Sequence, residues 1–150
     1  MDQIIYGVEL NPLRIIDADG GSVMHALKAT DKSFSSFGEA YFSSVVQGSV
    51  KDWKRHLRMT LNLVVPIGLI RFVLFDNRKE SPTFQIFNEF VLGPTRDFSR
   101  LTVKPGIWMA FQGYDAGPNI LLNVADIEHD PSEVERLPIS NEIIPAYHWK

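Results

Sequence analysis

Between Gly48 and Gly68 the chain reads GSVKDWKRHLRMTLNLVVPIG. In its first half Lys54, His56 and Arg58 lie two residues apart, so on an extended strand they project from one face as a basic stripe. The second half, LNLVV from Leu61, is apolar and β-branched, and the VPIG that follows is a turn signal. Working outward, EAYFSSVV (39–46), LIRFVLF (69–75) and FQIFNEFVL (84–92) have the same strand character. Turn signals recur between the strands at DADGG (17–21), ESP (80–82), LGP (92–94), KPG (104–106) and AGPN (116–119). That spacing predicts an all-β meander closing into a barrel or jelly roll. The one helix start is Asp130-Pro131-Ser132-Glu133. There Asp130 caps, Pro131 suits the first helical position and Glu133 reaches back to complete a capping box, giving one short C-terminal helix.

Composition bounds the function. The expectation for 150 residues is a single domain, 1–150, with a substantial core. Net charge is −3 with no block of like charge, which predicts neither a nucleic-acid nor a membrane partner. The longest apolar stretch, Leu61 to Phe75, is broken by Asn62, Pro66, Gly68 and Arg71 and falls short of a bilayer span. The N-terminus lacks a secretory pattern, so a cytoplasmic location is expected. Cysteine is absent, which excludes thiolate ligands, disulfides and cysteine nucleophiles.

The Gly48–Gly68 spacing resembles the first metal-binding motif of the cupin superfamily, whose three ligand positions fall on Lys54, His56 and Leu61. The fourth falls on Met109. Leucine and methionine supply no hard donor, so neither a metal nor another cofactor is expected. The stretch Asp76-Asn77-Arg78-Lys79-Glu80-Ser81-Pro82-Thr83-Phe84 resembles the D-x-R-x-x-S-P-T-F signature of dTDP-4-dehydrorhamnose 3,5-epimerases. LTVKPGIWMAF (101–111) is similar to that family's L-x-I-P-x-G-F-A-H-G-F segment, and Asp130 to Glu133 to its Y-S-P-E turn. The resemblance implies a cupin-type double-stranded β-helix (jelly roll). It also implies action on a nucleotide-linked keto sugar destined for surface polysaccharide, and a homodimer. The apolar-aromatic run Tyr41 to Val46 is the expected contact.

The chain departs from the family at its catalytic positions. The substrate-binding arginine and the base histidine fall on Lys51 and Lys54, the enolate-stabilising lysine on Leu61, the second histidine on Met109, the tyrosine acid on Leu122, and an N-terminal arginine on Gly20. Epimerisation beside a ketone needs a base, a donor to hold the enolate and an acid on the opposite face. Lys54 and His56 are therefore the candidate catalytic residues. Lys54 serves as base only if burial or a neighbouring cation lowers its pKa. Candidate substrate contacts are Lys51 and Arg58 for an anionic group, Trp108 for stacking on a ring, and Asn62. Trp108 and Phe111 read first as core packing, and Asn62 and Asn123 as satisfied polar positions. Arg71, inside an apolar strand, is expected to pair with Glu89. His25, His129 and His148 read as surface or turn residues. The reading from a different class is a non-catalytic cupin module that binds a sugar nucleotide or glycan as partner or regulator.

Overall fold

The computed structural model describes residues 3–150. Two five-stranded antiparallel sheets face each other. The first runs in the order β1 (Val8–Pro12), β9 (Ser99–Val103), β6 (Leu61–Ile67), β11 (Ile120–Ala125), β4 (Glu39–Ser44). The second runs β12 (Val134–Leu137), β5 (Val50–His56), β10 (Trp108–Gly113), β7 (Ile70–Phe75), β8 (Phe87–Leu92). A separate hairpin, β2 (Ile15–Ala18) with β3 (Gly21–Met24), has the DADGG turn at its tip. The architecture is the cupin-type jelly roll.

Strand β7 shows why the sequence lacks alternation at IRFVLF. All six residues are buried. Ile70, Phe72 and Leu74 point into the core between the sheets. Val73 and Phe75 point the other way, into a second cluster with Trp53, Trp108 and Ala110. That outer face is roofed by the C-terminal segment through Ile144, Tyr147 and Trp149. Arg71 lies on the same outer face, with its Nε 3.1 Å from Glu89 Oε1, the pairing expected from sequence.

Gly68 closes the β6–β7 turn at φ 78°, where a Cβ would stand 2.3 Å from the Pro118 carbonyl oxygen and the Asn119 side chain. Only glycine fits a left-handed residue at so close an approach.

The D-x-R-x-x-S-P-T-F stretch is a turn, so Phe84 to Ile86 are not the strand residues their composition suggests, and β8 begins at Phe87. Its centre is Asp76, fully buried. Asp76 accepts from Ser81 Oγ and Thr83 Oγ1, each at 2.6 Å, and from Arg78 N, Nε and Nη2 at 2.8–3.0 Å. Burial alone would raise the Asp76 pKa. The donors from Arg78, Ser81 and Thr83 outweigh it and hold the carboxyl far below the usual range. The same side chains grip the N-terminal segment: Thr83 Oγ1 accepts from Tyr6 N at 3.0 Å, and Arg78 Nη2 donates to the Tyr6 carbonyl.

The helix expected at Asp130 is a 3-10 turn, Pro131–Glu133, with Asp130 accepting from Ser132 N as its cap. The capping box does not form. The Glu133 side chain turns inward instead, for a reason that belongs to the site.

Candidate functional site

Between the sheets lies an inner chamber of about 100 Å³. Its floor is apolar, built by Met59, Leu61 and Leu63 on the first sheet's side with Met109 and Phe111 from β10 facing them. Leu61 and Met109 stand at family catalytic positions and do face the chamber, where they offer only apolar surface. Its polar rim comes from both sheets: Asp52, Lys54 and His56 on β5, Arg136 on β12, Tyr41 and Ser43 on β4, and Asn123 on β11. Ser43, Asp52, Lys54, Phe111 and Arg136 also line an adjoining outer shelf of about 510 Å³, with Lys51 and Leu137. A shelf of that size is in the range of small-molecule sites.

Alternation on β5 places Asp52, Lys54 and His56 on the chamber side while Trp53 points into the outer cluster. His56 Nδ1 lies 2.6 Å from Glu133 Oε1, and the other Glu133 oxygen accepts from Arg58 N and Met59 N, each at 3.1 Å. Three partners thus satisfy a carboxylate with no exposed side-chain surface. Burial works to raise the Glu133 pKa, but the donors from His56, Arg58 and Met59 prevail and lower it. An ionised Glu133 fixes a proton on Nδ1 and leaves Nε2 as the basic nitrogen for the chamber. Register does the positioning: β12 pairs Val134 with His56 and Arg136 with Lys54. Burial, then the positive charges of Arg136 and Lys51, lowers the Lys54 pKa from its ordinary value.

The remaining expected contacts distribute differently. Lys51 is on the shelf. Arg58 lies beyond the end of β5 and its guanidinium turns outward to Asp130 at 2.8 Å, so the basic stripe stops at His56. Trp108 is buried on the far side of β10, under the guanidinium of Arg55 at 4.7 Å, and lines neither the chamber nor the shelf. Alternation sends Met109 inward and Trp108 outward. Asn62 is spent internally: its Oδ1 accepts from Thr102 Oγ1 at 2.7 Å and it contributes nothing to the chamber lining. Leu122, matched to the family's acid, turns away from the chamber, which Leu121 and Asn123 line instead. Gly20 sits in the β2–β3 turn. His129, read as a surface residue, reaches the chamber rim.

Sequence reasoning also passed over Glu133, Tyr41, Asn123, Asp52 and Arg136 as site residues. The alternation of EAYFSS would have put Tyr41 and Ser43 on one face and Phe42 on the other. Nothing local marks Glu133 as a partner of His56. Among the described residues no cluster of three or more His, Asp or Glu is placed to hold a metal ion.

No protein-family model matches the chain. It is 40% identical to a dTDP sugar isomerase from Desulfovibrio desulfuricans G20, over 94% of this chain and 90% of that one, with a TM-score of 0.91. It is 28% identical over 140 residues, 89% of this chain and 88% of the relative, to the probable low-salt glycan biosynthesis epimerase Agl13 of Haloferax volcanii. NovW, a 4-keto-6-deoxy sugar epimerase from Streptomyces spheroides, shares the fold at a TM-score of 0.84 and 16% identity, covering 97% of this chain and 75% of its own. With the jelly roll, the intact D-x-R-x-x-S-P-T-F turn and a relative this similar along nearly its whole length, the chain belongs to the dTDP-4-dehydrorhamnose 3,5-epimerase-like family of sugar-nucleotide epimerases and isomerases within the cupin superfamily, as a member divergent at the catalytic positions.

Proposed function

We propose that the protein is an epimerase or isomerase of a nucleotide-linked keto sugar used in surface polysaccharide synthesis, with His56 as base and Lys54 beside it. The observation that carries this reading is the His56–Glu133 pair at 2.6 Å, a buried carboxylate orienting an imidazole that lines the inner chamber, with Lys54 joining that chamber to the adjoining shelf. A sugar carbon next to the ketone loses its proton to His56 Nε2. The Lys54 ammonium, made a stronger donor by its lowered pKa, holds the developing enolate oxygen. Lys51 and Arg136 supply positive charge on the shelf for the diphosphate.

The test is deuterium wash-in. Incubated with dTDP-4-keto-6-deoxyglucose in deuterium oxide, the protein is expected to introduce label at C3 or C5. Binding without exchange would leave only the non-catalytic reading for that substrate. In parallel, dTDP is expected to raise the melting temperature by mass action, and K51A/R136A to remove most of that rise. An unchanged rise in the double variant would take the diphosphate off the shelf.

The oligomer proposed is a homodimer formed through β4. It is an edge strand, and Phe42 and Val46 are 70% and 71% exposed, an apolar surface that a second copy of the same strand would cover. Phe42→Asp is expected to shift sedimentation from dimer to monomer, and a variant that sediments as wild type would move the interface elsewhere. The charge of −3 and the lack of a basic block support a protein without nucleic-acid or anionic-membrane partners.

A further inference from the structure

The reading above gives Lys54 a cation's task, holding the oxygen of an enolate. The same nitrogen without its extra proton is a nucleophile, and its surroundings favour that form. We propose that Lys54 is a covalent catalyst: its Nζ condenses with the ketone of the sugar to an iminium, from which His56 removes the neighbouring proton. The inference rests on the epimerase reading and replaces a hydrogen-bonded enolate with a covalently held enamine.

Three observations carry it. First, the strands on either side deny Lys54 a counter-ion: its partner on β10 is the buried Met109 and its partner on β12 is Arg136. An apolar neighbour and a guanidinium both disfavour an ammonium. The nearby carboxylates are engaged elsewhere, Glu133 with His56, Glu135 with Arg55 at 2.6 Å, and Asp52 with Ile139 N at 3.3 Å. Among the described residues no acid lies within ion-pair distance of Lys54. Burial, then Arg136 and Lys51, lowers its pKa and so raises the share of free amine. Second, Lys51 lines only the shelf and Lys104 only the chamber, whereas Lys54 lines both. A sugar whose diphosphate lies on the shelf thus meets Nζ where the two spaces join. Third, His56 follows on the same strand face, about 6.5 Å along the strand, with Nδ1 engaged by Glu133. The carbon that loses its proton is one bond from the carbon that Lys54 holds, so nucleophile and base address adjacent atoms.

The intermediate also suits the chamber. Leu61, Leu63 and Met109 offer no donor to an enolate oxygen, and an anion set against an apolar floor is costly. An enamine is neutral.

The step balances with water alone. The neutral amine adds to the carbonyl carbon and a carbinolamine forms. Its oxygen takes a proton from solvent, the C–O bond breaks, and water leaves a C=N⁺ bond behind. The α C–H bond then breaks: the proton goes to His56 Nε2 and the electron pair moves toward the iminium nitrogen, giving the enamine. Reprotonation at carbon restores the iminium. One water then adds, the C–N bond breaks, the borrowed proton returns to solvent, and the ketone and the Lys54 amine are released.

The experiment incubates the protein with dTDP-4-keto-6-deoxyglucose and sodium cyanoborohydride, which reduces an iminium in preference to a ketone, and reads intact mass and peptide maps. Parallel samples in deuterium oxide without reductant read wash-in by NMR. Wild type is expected to gain the mass of the substrate less one oxygen atom, on the peptide that holds Lys54. Lys54→Arg keeps a cation for an enolate oxygen but forms no imine. It is expected to gain no mass and to wash in no faster than a protein-free blank, with its melting temperature as the fold control. Wash-in by wild type with no adduct at Lys54 overturns the proposal, and so does wash-in within a few-fold of wild type by folded Lys54→Arg. An adduct at Lys54 without wash-in overturns the epimerase reading and leaves the imine standing. Binding with neither adduct nor wash-in overturns both.

Discussion

Asp76→Asn is expected to lower the unfolding free energy by about 3 kcal/mol, the cost of taking one partner out of a buried charged network. For a chain of this length that is a fall in Tm of roughly 6–12 °C. The carboxylate accepts from Arg78, Ser81 and Thr83. An amide keeps one acceptor oxygen and turns a second donor toward groups that already donate. The damage spreads to the N-terminal segment, whose Tyr6 is held by Thr83 and Arg78. The pH dependence has a definite sign. The folded pKa of Asp76 lies below its unfolded value, so its contribution is complete above about pH 4 and is lost as pH falls through the acid range toward the folded value. Urea titrations at pH 7 and pH 3 should therefore show a large gap between wild type and variant that narrows in acid. A gap below about 1 kcal/mol at pH 7 would mean that the motif serves something other than the fold.

His56→Ala is expected to lower kcat on a nucleotide-linked keto sugar by about 10²- to 10⁴-fold, the range for loss of a positioned general base. Binding of dTDP should hardly change, since the charge for the diphosphate lies with Lys51 and Arg136 on the shelf. Glu133→Gln separates orientation from chemistry. The glutamine oxygen can take the place of Oε2 and accept from both Arg58 N and Met59 N, but the other end becomes a donor facing His56, and the pull on the imidazole proton is gone. This variant should lose kcat by less than His56→Ala and lose about 1–3 kcal/mol of stability through the buried amide donor left without an acceptor. Full activity in Glu133→Gln would reduce that carboxylate to a structural clamp. Full activity in His56→Ala would transfer the role of base to Lys54.

The fold was legible because its determinants are local or periodic. The strand runs, the turn residues between them and the D-x-R-x-x-S-P-T-F signature sit close in sequence, and the turns at 17–21, 65–68, 92–94 and 104–106 fall where glycine, proline or aspartate clusters predict them, while the turn through Phe84 and Gln85 falls in a stretch that reads as strand. The site was half legible for the same reason. Lys54 and His56 share a face because they are two apart, and that depends only on β5 being extended. The stripe failed at Arg58 because the strand ends at His56, and strand ends are set by pairing rather than composition. Trp108 failed through parity: Met109 is the residue that turns inward, so its neighbour is core. Glu133 was invisible because a capping box and a long-range partner need the same residue type, and only the approach of β12 to β5 decides between them. Tyr41 was absorbed into an expected interface because the strand was read as one apolar surface, whereas its two faces do different work.

The bond between His56 and Glu133 joins residues 77 positions apart, and it also sets an order of events during synthesis. At about 5–20 residues per second, β5 emerges roughly 4–15 s before the segment that orients its histidine. Over that interval the outer edge of β5 is unpaired, because β12 is the strand that covers it. A nascent or clipped chain that stops short of Glu133 has a strand edge open to other chains and a histidine with no fixed tautomer. Competence arrives with the same residues that cover β5, so a molecule able to do the chemistry is also one in which the strand carrying the histidine has become an interior strand.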